Sequence, residues 1–169
     1  DLDRGRSDDR VLKAVVHTVR AFDLDPGCFK RFMHSMTMDL TVGPNFFFWP
    51  AETVRAFYSD LAPAPVARVV LGELVCSKRL PFWQGEIPGA VESLLAAGKE
   101  VAVTSLALIT LKRERKLTAE LADLGLPVEV NDLTALAHVP QGPPFCVGPP
   151  VNVYTEAPLS WLTRRGATR

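Results

Sequence analysis

From Leu40 onward, short valine-rich runs alternate with stretches of helical spacing, and this alternation restricts the fold more than any other feature. The apolar runs predict strands near 40–42, 68–71, 101–106, 128–130 and 145–148. Helical stretches lie between them. One covers 50–61, with Trp49, Val54, Phe57, Tyr58 and Leu61 on an apolar side, and another covers 87–97 and is stopped by Gly98. A third, 110–124, carries "KRERK", whose charges are expected on a solvated face; a short one covers 132–138 and the last 156–165. Strand and helix in alternation, joined by short turns, imply right-handed crossovers and a parallel sheet. Five strands are roughly half of an eight-stranded barrel, which takes about 250 residues. The expected fold class is therefore α/β, a partial (β/α) barrel-like parallel sheet.

Upstream the pattern is purely helical. Val11, Leu12, Val15, Val16, Val19 and Phe22, then Phe29, Phe32, Met33, Met36 and Leu40, keep helical spacing and predict two amphipathic helices. "DLDPG" separates them, with Asp25 placed to cap the second and Pro26 in its first turn. The expected organisation is a helical segment, 1–39, followed by an incomplete β/α domain, 40–169.

Nineteen basic and nineteen acidic side chains cancel, without a long block of one sign. That argues against a grip on nucleic acid or on a charged membrane surface. Although 47% of the residues are hydrophobic, no apolar stretch approaches the roughly 20 residues needed to span a bilayer. The opening "DLDRGRSDDR" is charged where a secretory signal is basic and then apolar, and it lacks an initiator methionine, so the chain is not expected to begin where its gene begins. Three widely spaced cysteines, Cys28, Cys76 and Cys146, do not form a disulfide framework. A reducing compartment, the cytoplasm, is the expected location.

In parallel β/α folds the working groups gather where strands end. Those positions hold Glu73 and Cys76, Ser105, Asn131 and Asp132, and Asn152 with Tyr154, a polar ring on one face. For Asn131 and Asp132 the favoured reading is capping of the following "LTALAH" helix. Lys78 and Arg79 would lower the pKa of the Cys76 thiol and favour the thiolate, which attacks electrophiles or binds metal. Two readings of Cys76 stand at this point, a reactive thiol and a small buried hydrophobe. Cys28 and Cys146 read as packing residues. His17 and His34 belong to the helical segment and His138 to a short helix, so no nucleophile and base pair can be assembled. Cysteine and histidine spacings for zinc are absent, and neither "GPNFFFW" nor "GPPFCVGPP" is a phosphate-binding loop.

Taken together, "LTVGPNFFFWP", "VVLGELVCSKR", "EVAVTSLALIT", "VEVNDLTAL" and "GPPVNVYTEAPLSWLTRRGA" resemble the N-terminal part of the UbiV-type ubiquinone biosynthesis proteins. These form a branch of the collagenase-like peptidase family, whose fold is barrel-like. The resemblance spans about 40–169 and is most specific in "GE-L-V-CSKR". It implies an iron-sulfur accessory protein that pairs with a sister protein, UbiU, as a heterodimer to hydroxylate ubiquinone precursors without molecular oxygen. Cys76 stands where the family has the first of four cysteine ligands to a 4Fe-4S cluster, the other three being expected beyond residue 169. Cys28 and Cys146 match no ligand position, and Thr155 stands where an asparagine is common. One thiolate cannot hold a cubane that takes four. The chain alone is therefore expected to bind no stable cluster and to be inactive by itself. Peptidase activity rests on the family name alone.

The lead-in "DDRVLKAVVHTVRAFDLDPGCFKRFMHSMTMDLTV" instead resembles a helical segment of squalene and phytoene synthases, from between their two aspartate-rich, magnesium-binding motifs. Both motifs are lacking, and Asp8, Asp9 and Asp39 do not replace them, so a prenyl-transferring synthase fragment is the alternative reading. The two resemblances meet at "MDLTVG". Natural fusions usually retain whole domains, so the expectation is a chimeric fragment.

Overall fold

The computed structural model describes residues 39–139 and 144–169. The two expected N-terminal helices, with Asp8, Asp9, His17, Asp25, Cys28 and His34, lie outside the described residues. Five strands form one sheet: β1 (Thr41–Val42), β2 (Arg68–Leu71), β3 (Glu100–Thr104), β4 (Val128–Val130) and β5 (Cys146–Val147). They lie side by side in chain order, and every neighbouring pair is parallel. The crossovers carry α1 (Ala51–Leu61), α2 (Ile87–Ala96) and α3 (Lys112–Ala122), and α4 (Glu156–Arg164) follows β5. Beyond α4 the chain returns to the sheet. Ala167 bridges Phe145 in parallel, and the Val147 N–H donates to the Arg169 carbonyl at 2.7 Å.

Strand side chains alternate between two faces, and here the faces differ chemically. Val69, Leu71 and Val101 pack on Val54, Phe57 and Leu61 of α1 and Leu94 of α2. Val103, Val128 and Val130 join Phe145 and Leu162 of α4 in a second apolar cluster. Each of these side chains, once fully buried, contributes about 1.5–3 kcal/mol. The other face carries Arg68, Glu100, Thr104, Glu129 and Cys146, with Val70 and Ala102 among them.

That polar face is concave. β2 and β5 are three strand spacings apart, about 14 Å in a flat sheet, farther than an arginine side chain spans. Even so, Arg68 Nη1 lies 4.0 Å from Cys146 Sγ, and Arg169 Nη1 lies 3.5 Å from Glu100 Oε2. Contacts across several strands fit a curled sheet, and the architecture is half of a β/α barrel, as the alternating sequence predicts.

Differences from expectation are local. The 132–138 segment is a 3-10 turn, Leu133–Ala137, rather than an α-helix, and two further 3-10 turns, Leu80–Phe82 and Gln84–Glu86, precede α2. Pro81 and Pro88 explain the second difference, because each fixes φ and removes an N–H donor within a few residues of the other. Strand β3 stops at Thr104, since the Ala107 N–H leaves the ladder for the Leu74 carbonyl at 2.8 Å. Of the "KRERK" charges, Glu114 is buried rather than solvated. Among the described residues no helix is long and apolar enough to cross a membrane.

Candidate functional site

The loop that leaves β2, Gly72 to Arg79, is built by hydrogen bonds from its own sequence. Gly72 adopts φ +132°, and a Cβ there would lie 2.9 Å from Thr104 Cγ2 and 3.1 Å from the Thr104 carbonyl oxygen. Only glycine allows this backbone so close to β3. Next, Glu73 turns inward and is 6% exposed. Its Oε1 accepts the Val75 N–H at 2.8 Å and the Cys76 N–H at 3.0 Å. A buried carboxylate thus fixes the backbone at the cysteine, and each such bond to a charged acceptor is stronger than one between neutral groups. The phenol of Tyr58 is buried without a hydrogen-bond partner among the described residues. Burial first, and the Glu73 charge second, push its pKa well above the ordinary range.

Beyond Cys76 the loop is tied to two neighbours. Ser77 Oγ donates to Glu114 Oε1 at 2.8 Å. The other Glu114 oxygen accepts the Leu111 N–H at 2.9 Å and the Thr110 N–H at 3.0 Å, so one carboxylate caps α3 and holds the loop. These donors, with Leu111 first, lower the Glu114 pKa to about 2. On the other side Arg79 Nη1 donates to the Phe46 carbonyl at 3.1 Å, and its guanidinium lies 5.9 Å from the Phe48 ring centre. Arg79, expected from sequence to serve the Cys76 thiol, is therefore engaged with the loop after β1. Lys78 is exposed, and Cys76 itself is half-buried.

The remaining members of the expected polar ring fall into separate groups. Asn131, 2% exposed, belongs to the sheet: Nδ2 donates to Thr104 Oγ1 at 2.7 Å and to the Ser105 carbonyl at 3.0 Å. Its backbone N–H donates to Ser105 Oγ at 2.9 Å. Asp132 is the capping residue, accepting the Thr134 N–H at 2.8 Å, and its second oxygen accepts the Ile109 N–H at 2.8 Å. Burial pushes its pKa up, but these donors outweigh burial and leave it lowered. Asn152 and Tyr154 bond each other at 3.1 Å on an exposed stretch before α4. Cys146 is buried beside Arg68, and burial raises its pKa.

Sequence reasoning missed an aromatic surface beside the cysteine loop. Phe46, Phe47, Phe48 and Phe82 are each about half exposed or more. Asn45 closes the turn under them, accepting the Phe47 N–H and donating to the Phe47 carbonyl, both at 2.9 Å. Phe48 and Phe82 meet edge to face at 5.2 Å. The available signal was three phenylalanines directly after "GPN", at a strand end where a core run has no reason to continue.

Chemically, the cysteine loop presents one partly accessible thiol on a pinned backbone. Among the described residues no group of three or more His, Cys, Asp or Glu side chains could hold a metal ion. They do not complete a ligand set for an iron-sulfur cluster, and Cys76 fits one only as a single thiolate donor. No family model matches the chain, and no solved structure matches it significantly.

Proposed function

We propose that the chain is a UbiV-like accessory protein of oxygen-independent ubiquinone biosynthesis, and that Cys76 is one thiolate ligand of a 4Fe-4S cluster. The observation that carries this reading is the bond from the Cys76 N–H to buried Glu73 Oε1, at 3.0 Å, which holds a half-buried thiol at a strand end of a curled parallel sheet. A preset backbone reduces the ordering entropy that a metal ligand otherwise loses on binding. The order Gly72, Glu73, Cys76, Ser77, Lys78, Arg79 adds support, because each of Gly72, Glu73, Ser77 and Arg79 has a defined contact that shapes the loop. The other three thiolates would come from outside the described residues. When bound, such a cluster supplies one-electron chemistry. A UbiU-like partner and a ubiquinone precursor complete the reading.

The test is iron and acid-labile sulfide content of the natural gene product, purified without oxygen from its own cells, with and without Cys76→Ser. Loss of iron in the variant is the expected result. Unchanged iron content, or no iron in either protein, overturns the reading.

A further inference from the structure

A cavity of about 190 Å³ lies between the loop after β2, the start of α2 and α3. Its walls are apolar: Leu80, Ile87, Leu106, Leu117, Leu121 and Leu124. The volume suits a single ring, since an apolar cavity of about 150 Å³ holds benzene.

The polar groups that line it share one property. Glu73 is a carboxylate whose Oε1 is taken by the loop backbone, while Oε2 accepts from none of the described residues. Ser77 has spent its only proton on Glu114, and Thr118 has spent its own on the Glu114 carbonyl at 2.9 Å. The Thr104 hydroxyl is instead turned to the concave face, donating to Glu129 Oε1 or the Ser105 carbonyl and accepting from the Asn131 amide. A hydroxyl that has donated its proton can only accept. The side-chain hydroxyls of Ser77 and Thr118 therefore offer lone pairs alone. A second lining carboxylate, Glu120, is exposed and paired with Lys116 at 3.6 Å, and among the lining residues only Gln84 carries a side-chain donor that is not already used. Among the described residues no lysine, arginine or histidine lines the space.

A half-open site with apolar walls, a carboxylate and spare acceptors is complementary to a ligand head that carries positive charge and several donors. We infer that this cavity binds a small primary amine, an alkyl- or arylmethyl-ammonium, with its N–H groups on Glu73 Oε2 and its hydrocarbon against the leucines of α3. A neutral alcohol of the same shape supplies one donor and no charge, and binds more weakly. The inference does not depend on Cys76 being a cluster ligand.

The experiment is a ligand-observed NMR titration of the full chain with benzylamine and with benzyl alcohol at neutral pH. Saturable binding of benzylamine, at least tenfold tighter than benzyl alcohol, is expected, and it is lost in Leu117→Trp, which fills the cavity from the half-exposed face of α3. Glu73→Gln should remove the tenfold preference. If Glu73→Gln does not fold, the comparison of amine with alcohol and the Leu117→Trp plug still decide. Equal binding of the two probes, binding that survives the plug, or no saturation at millimolar amine overturns the inference.

Discussion

Ser77 Oγ donates to Glu114 Oε1 at 2.8 Å, so the loop that carries Cys76 and the first turn of α3 are held by one carboxylate. The donors of Leu111, Ser77 and Thr110 lower the Glu114 pKa from 4.5 to about 2. A lowered pKa in the folded state means that the unfolded chain binds the proton more readily. The stabilisation is therefore fully present above the unfolded value and is lost as pH falls toward the folded one. Urea unfolding should show Glu114→Gln less stable than the unsubstituted chain at pH 7, with the gap narrowing between about pH 4.5 and 2. A gap independent of pH would show that the carboxylate charge contributes nothing there.

Gly72 combines two constraints that can be separated. Its φ of +132° strains any side chain, and a Cβ would also crowd Thr104 at 2.9 Å. Gly98 has φ +74° with nothing within 4 Å of a Cβ, so it carries the conformational constraint alone. Gly98→Ala should cost about 1–2 kcal/mol, and Gly72→Ala about 1–3 kcal/mol for strain plus about 1–3 kcal/mol for overpacking. Equal losses in thermal unfolding would show that the contact with Thr104 is unimportant.

The strands and the α-helices were legible because valine runs and helical spacing report burial directly, as in "RVVL", where all four residues are buried. The cap at Asp132 was legible too, since a short acceptor before "LTALA" has a local partner in the Thr134 N–H. Glu73 was legible as a polar strand-end residue with local partners, the Val75 and Cys76 N–H groups, but the pairing of Ser77 with Glu114 was not, because the two are far apart in sequence and meet only once α3 packs. Nor could local sequence show Arg79 engaged with Phe46, or the concave face on which Arg68 meets Cys146. Both depend on how far the sheet curls.

Asn131 and Gly148 form another such pair. A Cβ on Gly148 would overlap Asn131 Oδ1, and Glu129 Cγ would lie 3.1 Å from it. Asn131 Oδ1 is itself buried without a partner among the described residues. Gly148→Ala should destabilise by about 1–3 kcal/mol. In a double-mutant cycle Asn131→Ala should recover part of that loss, because it removes the overlapping group. Additive losses would place the strain elsewhere.

Arg68 is buried and paired with Glu100, which is about half exposed. Glu100→Gln leaves the buried guanidinium with less compensation. Full loss of a buried partner costs about 3–5 kcal/mol, and solvent near Glu100 reduces this to about 1–3 kcal/mol. The double variant Arg68→Met/Glu100→Gln should be more stable than Glu100→Gln alone, as measured by urea midpoint. The opposite order would mean that Arg68 contributes mainly through packing of its stem along the concave face.

Cys76 and Cys146 differ in the property that decides thiol chemistry. Cys76 is half-buried on the loop after β2, whereas Cys146 is buried and burial raises its pKa. The thiolate is the reactive form, and it must also be reached by the reagent. In a Cys28→Ser background, iodoacetamide at pH 7 should modify Cys76 at least tenfold faster than Cys146, as followed by peptide mass spectrometry. Cys146 should react at a comparable rate only once urea unfolds the sheet. Glu73→Ala adds a sharper expectation: freeing the Val75 and Cys76 N–H groups loosens the loop, so the Cys76 rate should change while the Cys146 rate does not. Equal rates for the two thiols in the folded protein would remove the distinction on which the ligand role of Cys76 depends.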